Sequence, residues 1–266
     1  MIKRTFKSYL GIGYLLVATF GLMLGAEQAS FAQQPQRLLV VTVTKGFRHD
    51  SIPTVERVLQ QLSEKSRSFT VDYARTDDEL AARTTTQALR NYDGIVFAHT
   101  SGDLPLVSRQ AFLDWIKAGH AFVGTHSATD TFKGFPEYID MIGGQFESHG
   151  PQVSVQCHLE DPNHPATKGL RTSFTVFDEI YLFSKFNRAN VHMLLALDQH
   201  PNTKQPGYYP LAWYRKYGKG RVFYTALGHR DDVLESDWFR QHLLGGIQWA
   251  LGQAKYTYSR EVSSFR

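Results

Sequence analysis

One cysteine, Cys157, is present in the 266 residues. That excludes an intrachain disulfide, a cysteine zinc cluster and a CxxC redox pair. The chain has no run of like charge and no basic stripe studded with aromatics. The electrostatic footprint of a nucleic-acid binder is therefore missing, and neither DNA nor RNA is expected as a partner. The HExxH and His-x-His spacings of ready-made metal sites are absent, as is the GxSxG of a hydrolase elbow,. Gly218-Lys219-Gly220-Arg221 resembles a phosphate loop only superficially. It lies between two strand-like segments and opens no helix, so no nucleotide cofactor is expected. No repeat with a period of about 20 to 50 residues occurs, which removes solenoid architectures.

The hydrophobic share of 42%, the aromatic share of 13% and the charged share of 20% suit a globular chain with a sizeable core,. The first 32 residues read as a secretory signal. Lys3, Arg4 and Lys7 precede an apolar run over 9–24, and small residues at Ser30 and Ala32 suit cleavage after Ala32,. The run is shorter than the roughly 20 apolar residues of a membrane span, so an exported protein without a membrane anchor after cleavage is expected. Removing the leader's three cations and Glu27 leaves 26 basic and 24 acidic residues, a net charge of +2 against +4 for the whole chain. The basic balance thus says more about export than about partners.

From residue 37 on, β-branched apolar runs alternate with helical patterns. Residues 38–43, 69–73, 95–99 and 121–124 read as strands, and helices are expected around Val55, Val58, Leu59 and Leu62 and over 106–118,. This βα alternation predicts a doubly wound, mostly parallel α/β sheet with ligands at the carboxyl ends of its strands. A glycine- and proline-punctuated stretch after Ser127, with strands at 153–158 and 172–177, reads as a β-rich insertion in the same domain. Strands at 191–197, 211–215 and 221–226 and a closing amphipathic helix over 238–251 complete a domain spanning 37–252, with a polar tail at 253–266,.

At the carboxyl edge of such a sheet, the polar residues that follow buried strands are the chemical candidates. His49, His126 and His229 each follow a strand, and they are expected to share a pocket; His99 ends a further strand,. His149 and the pair Asp178-Glu179, set among aromatics, come next, because buried carboxylates must be paired, hydrogen-bonded or metal-bound. Imidazole plus carboxylate suits zinc or another divalent first-row ion. The expected ligands are His49, His126, His229 and Asp178, and the expected acid/base residues are His126, His49, His149 and Glu179. His164 reads as a turn residue, and His120, His158, His192, His200 and His242 as structural or surface residues. Cys157, in mid-strand, reads as a small packed hydrophobe.

With GFRHD at 46–50, VGTHSATD at 123–130, YIDMIGGQFESH at 138–149, NHPATKGL at 163–170, DEIY at 178–181, PLAW at 210–213 and GKGRVFYTALGH at 218–229, the chain resembles the ThuA-like family, named for trehalose utilisation. The resemblance implies a class I glutamine-amidotransferase-like, flavodoxin-like fold. His126 stands where the amidotransferases carry their nucleophilic cysteine, so that activity is expected to be absent. It also implies a carbohydrate substrate, a glycoside or a keto-sugar made by a partner dehydrogenase, with Arg48, Asp130, Tyr181 and Trp213, and also Tyr209, as candidate sugar contacts. A carbonyl at C3 would acidify the C2 proton and permit metal-assisted or histidine-based elimination. Hydrolysis of an unoxidised glycoside and a non-catalytic sugar-binding module are the alternatives.

Overall fold

The computed structural model describes residues 1–2, 34–254 and 256, so the expected leader and most of the polar tail lie outside the described residues. The described residues from 34 on form one compact unit. Its centre is a nine-stranded sheet in the order β2-β1-β3-β4-β11-β10-β9-β6-β7. The first five are β1 (Gln36–Val41), β2 (Phe69–Ala74), β3 (Gly94–Ala98), β4 (Ala121–Thr125) and β11 (Gly220–Thr225), all parallel to one another. The 2-1-3-4-11 order is the flavodoxin-like arrangement, with its switch point between β1 and β3.

Helices close both faces because both faces of these strands are apolar. Leu38, Val40, Val96, Val123 and Phe223 pack with α1 (Ile52–Ser66) and α7 (Asp237–Ala250). Leu39, Val41, Ile95, Phe97, Phe122, Val222 and Tyr224 face the other layer. That layer includes α2 (Asp77–Arg83), α3 (Thr86–Leu89), α4 (Arg109–Lys117) and α5 (Pro136–Ile142). The sequence expectation of a helix over 106–118 is trimmed at its start, because Ser108 accepts from the Ala111 N–H and caps α4 there,. Helices α2 and α3, which the sequence reading left out, begin at Thr76 and Thr85 caps. Thr76 forms a capping box with Glu79,. Glycines let α7 press onto the sheet: a Cβ on Gly246 would lie 2.4 Å from the Phe223 ring, and one on Gly245 would meet the Pro165 carbonyl.

The β-rich stretch does not stand apart. Its strands β6 (Val153–Leu159) and β7 (Ser173–Asp178) join β9 (His192–Gln199) and β10 (Pro206–Tyr217) to extend the same sheet antiparallel beyond β11. A separate two-stranded ribbon pairs β5 (Gln145–His149) with β8 (Tyr181–Ser184), and α6 (Asp231–Glu235) follows the loop after β11. No helix among the described residues is long and apolar enough to cross a membrane. Cys157 is buried in β6, where burial pushes its thiol pKa up.

One histidine on α7 and one packed beneath it are kept neutral by the fold. His164 accepts from the Ala166 N–H through Nδ1 at 3.1 Å, which orders the turn as expected, and stacks on Tyr214 at 4.3 Å. His242 donates from Nδ1 to the Ala166 carbonyl at 2.9 Å. Burial lowers their pKa values to about 3 and about 4. Below the ordinary histidine pKa of about 6.5 the unfolded chain takes up protons that the fold refuses, so stability is full above that pH and lost as the pH falls. For His242 the loss should reach about 3 kcal/mol near pH 4. Urea midpoints measured between pH 7 and pH 4.5 are expected to fall, and His242→Gln should flatten that slope.

Candidate metal centre

Strands β3, β4 and β11 end at one level, Ala98 opposite Thr125 and Thr125 opposite Thr225. The chain leaves β3 and β4 through His99 and His126, both in the left-handed region at φ 54° and 47°. That conformation is disfavoured for a side chain bearing Cβ, and here bonds around the turn hold it. The Tyr224 hydroxyl donates to the His126 carbonyl at 2.6 Å, and the Tyr138 hydroxyl donates to Ala128 O at 2.8 Å.

The turn brings His126 to the middle of a four-residue cluster. Its Nε2 lies 3.2 Å from His49 Nε2, 3.2 Å from His229 Nδ1 and 3.4 Å from Glu179 Oε2. One donor atom from each of His49, His126, Glu179 and His229 lies within 4.8 Å of the others. The far sides of the rings are engaged. His126 Nδ1 donates to the Ala226 carbonyl at 2.8 Å, which leaves a lone pair on the inward Nε2 of the neutral ring,. His49 Nδ1 meets Ser127 Oγ at 3.4 Å. Burial, with His126 and His229 nearby, lowers the His49 pKa to about 3, so this ring is neutral and ready to ligate. Burial alone would raise the Glu179 carboxyl pKa, but the His126 and His229 imidazoles beside it outweigh burial and lower it, which keeps the group ionised. The Glu179 bond raises the His229 pKa in turn. Inward lone pairs that face one another at 3.2 Å repel, and a proton or a cation between them removes the repulsion. Three imidazoles and a carboxylate are a donor set that fits zinc or a related first-row ion.

Other expected residues fall into place around this cluster. His149, on the rim, directs Nδ1 to Glu179 Oε1 at 3.1 Å and to the Gly150 carbonyl at 3.0 Å. Both partners are acceptors, so Nδ1 carries the proton and the half-exposed ring keeps the lone pair on Nε2. The expectation that Asp178 supplies the carboxylate donor is corrected. Asp178 is fully buried and accepts from the Gly228 N–H at 2.7 Å and the Glu179 N–H at 3.0 Å, and Glu179 supplies the inward oxygen instead. Trp213 cannot stack on a sugar, being fully buried with Nε1 donating to Ile142 O at 2.7 Å. Tyr181 is 3% exposed and backs His126, with ring centroids 4.3 Å apart.

The remaining candidate sugar contacts are not gathered at the cluster. Tyr209 packs against His200, Arg48 donates to the Thr42 carbonyl at 2.9 Å, and Asp130 pairs with Lys133 at 2.6 Å. His99 is buried behind the cluster, 5.3 Å from the His126 ring, and contacts Ser51 Oγ at 3.3 Å. A residue that sequence reasoning missed is Phe47, at the mouth of an adjoining cleft of about 420 Å³ that His229 also lines. Its only sequence signal is an aromatic within an otherwise polar post-strand loop.

Asp178 ties Gly228, which precedes His229 and has φ 104°, to the backbone of Glu179, so one buried carboxylate positions two members of the cluster. Asp178→Asn turns an amide N–H toward one of those backbone donors. It is expected to lower unfolding stability by about 2 kcal/mol, read from denaturant titration, whereas Glu179→Gln should leave stability nearly unchanged.

Comparison with known proteins places the chain. A protein described as ThuA-like from Parabacteroides merdae superposes with a TM-score of 0.67 at 21% identity, covering 85% of this chain and 94% of that one. One from Bacteroides uniformis gives 0.66 at 20% identity, covering 84% and 94%. A β-galactosidase from Bacillus circulans shares the fold at a TM-score of 0.54 and 13% identity, covering 82% of this chain but only 31% of the enzyme. No curated protein matches the chain. The family model described as trehalose utilisation matches residues 37–250, and the chain belongs to that ThuA family.

Proposed function

We propose that this chain is an exported carbohydrate-processing enzyme that acts on a 3-keto-glycoside, with a divalent metal ion held by His49, His126, His229 and Glu179. The observation that carries this reading is the convergence of three imidazoles and an ionised carboxylate beside an open cleft. Membership of a trehalose-utilisation family supports a sugar as the substrate. When bound, the ion supplies Lewis acidity for a carbonyl oxygen.

The protein's own groups supply the proton chemistry. His149 presents a basic Nε2 at the rim while its Nδ1–H is anchored on Glu179 and Gly150. It takes the C2 proton that the C3 carbonyl acidifies. As the C1=C2 bond forms, the C1–O bond breaks, and the departing oxygen receives the proton from His149. Water in place of elimination gives hydrolysis, and the two differ in their products. The cluster lies beside a cleft that His229 also lines, an arrangement that favours catalysis over a pure binding module,. With His126 in the turn after β4, a covalent glutamine amidotransferase step is not part of this proposal.

Purified protein is expected to carry about one equivalent of zinc, manganese, nickel or iron by elemental analysis. His126→Ala and His49→Ala should each lower metal content at least tenfold and abolish consumption of a 3-keto-glycoside, with the unoxidised glycoside left intact. A metal-free protein whose two variants both retain turnover rules the reading out.

A further inference from the structure

The cleft beside the histidine cluster carries its own chemical signature. Phe47 stands at its mouth with 68% of its surface exposed, one of few large hydrophobic side chains so placed among the described residues. This exposure is not the result of a loose loop. The Lys45 N–H donates to Ser101 O at 2.7 Å, the Ser101 hydroxyl donates to the Phe47 carbonyl at 2.7 Å, and Thr44 bridges to Ser101. Gly46 makes the approach possible, since even a Cβ there would lie 3.2 Å from Ser101 Oγ. The backbone thus holds a phenyl ring in water directly over the site, its centroid 4.8 Å from that of His49. A fixed exposed aromatic at the mouth of a cleft is a preorganised stacking platform. The weakly positive C–H face of a sugar ring complements the negative face of the phenyl π-system.

The charges around the cleft narrow the ligand further. Its walls include Asp50, Asp231 and Asp232, with Arg230 and His229 as the basic side chains. Arg230 is already committed: Nε and Nη2 donate to the two Asp232 oxygens at 2.8 and 3.0 Å, and Nη1 donates to Gln152 Oε1 at 2.9 Å. The side chains of Asp50 and Asp231 make no hydrogen bond or salt bridge among the described residues. Ionised carboxylates only accept, and the hydroxyls of a sugar are donors that match them. His229 is likewise paired with Glu179, so a phosphate group entering here would meet carboxylates and no uncommitted cationic side chain,.

We infer that this cleft is a subsite for a neutral, unphosphorylated sugar ring, stacked on Phe47 with hydroxyls donated to Asp50 and Asp231. The inference rests on the carbohydrate reading above and adds to it the class of sugar and the residues that select it. Calorimetric titration of the metal-containing protein with methyl glucopyranoside and with glucose 6-phosphate tests it. The neutral sugar is expected to bind, and the phosphorylated one at least tenfold more weakly. Phe47→Ala should weaken neutral-sugar binding roughly tenfold, Phe47→Trp should retain it, and both should keep the wild-type metal content and Tm. Equal binding of the two sugars, or undiminished binding by Phe47→Ala, overturns this subsite while leaving the carbohydrate reading in place. If the wild type binds neither sugar, this subsite falls, while turnover of a 3-keto-glycoside still decides the carbohydrate reading.

Discussion

Four donor atoms pointed at one another inside a protein repel unless something holds each from behind, and that constraint organises the carboxyl edge of this sheet. His126 is held by the Ala226 carbonyl on its far nitrogen, His49 by Ser127, and Glu179 by His149 on its second oxygen. The backbone is fixed as firmly. His126 takes a left-handed φ that tyrosine hydroxyls on two sides stabilise, and Gly228 takes one that a β-carbon would make strained,. Each restraint would be unnecessary if the side chains only had to pack. Together they keep one polar atom of each residue facing inward, an arrangement that could hold a metal ion,.

The electrostatics of the cluster divide the labour among similar residues. Burial keeps His49 neutral, whereas the Glu179 carboxylate favours the protonated form of His229. The pKa values of two imidazoles at one site therefore shift in opposite directions, because one is shielded and the other is paired,. His149 stands on the wetter rim, with Nδ1 directed to Glu179. Its position suits a group that exchanges protons with solvent, and the buried rings suit groups that do not.

The parallel half of the fold was legible in the sequence because its strands are continuous apolar runs and its helices have a clear amphipathic period. The same regularity placed His49, His126 and His229 on one edge, since each follows a buried strand. Glu179 and Asp178 show where that reasoning stopped. Adjacent in sequence among the same aromatics, they differ only in which way β7 and the turn after it point each carboxylate. A one-residue shift reverses side-chain direction along a strand, and composition carries no record of that phase. Trp213 shows a related limit. An aromatic in mid-strand looks the same whether it faces a ligand or, as here, the Ile142 carbonyl in the core. Phe47 was hidden for the opposite reason, as its exposure depends on Ser101, far away in sequence.

The antiparallel extension is more than an addition to the sheet, because it delivers the only carboxylate in the cluster. The histidines come from the loops after β1, β4 and β11, all in the parallel half, while Glu179 follows β7 at the far end of the sheet order. Asp178 joins the two halves by accepting from Gly228 in the loop after β11 and from Glu179 itself. Burial raises the pKa of that carboxyl, and a buried carboxylate is tolerated only where backbone donors satisfy it. The donors that satisfy Asp178 are those that aim His229 and Glu179. The docking of β7 and the completion of the donor set therefore depend on the same bonds, and a chain that failed to dock β7 would lose the carboxylate and the position of one histidine together.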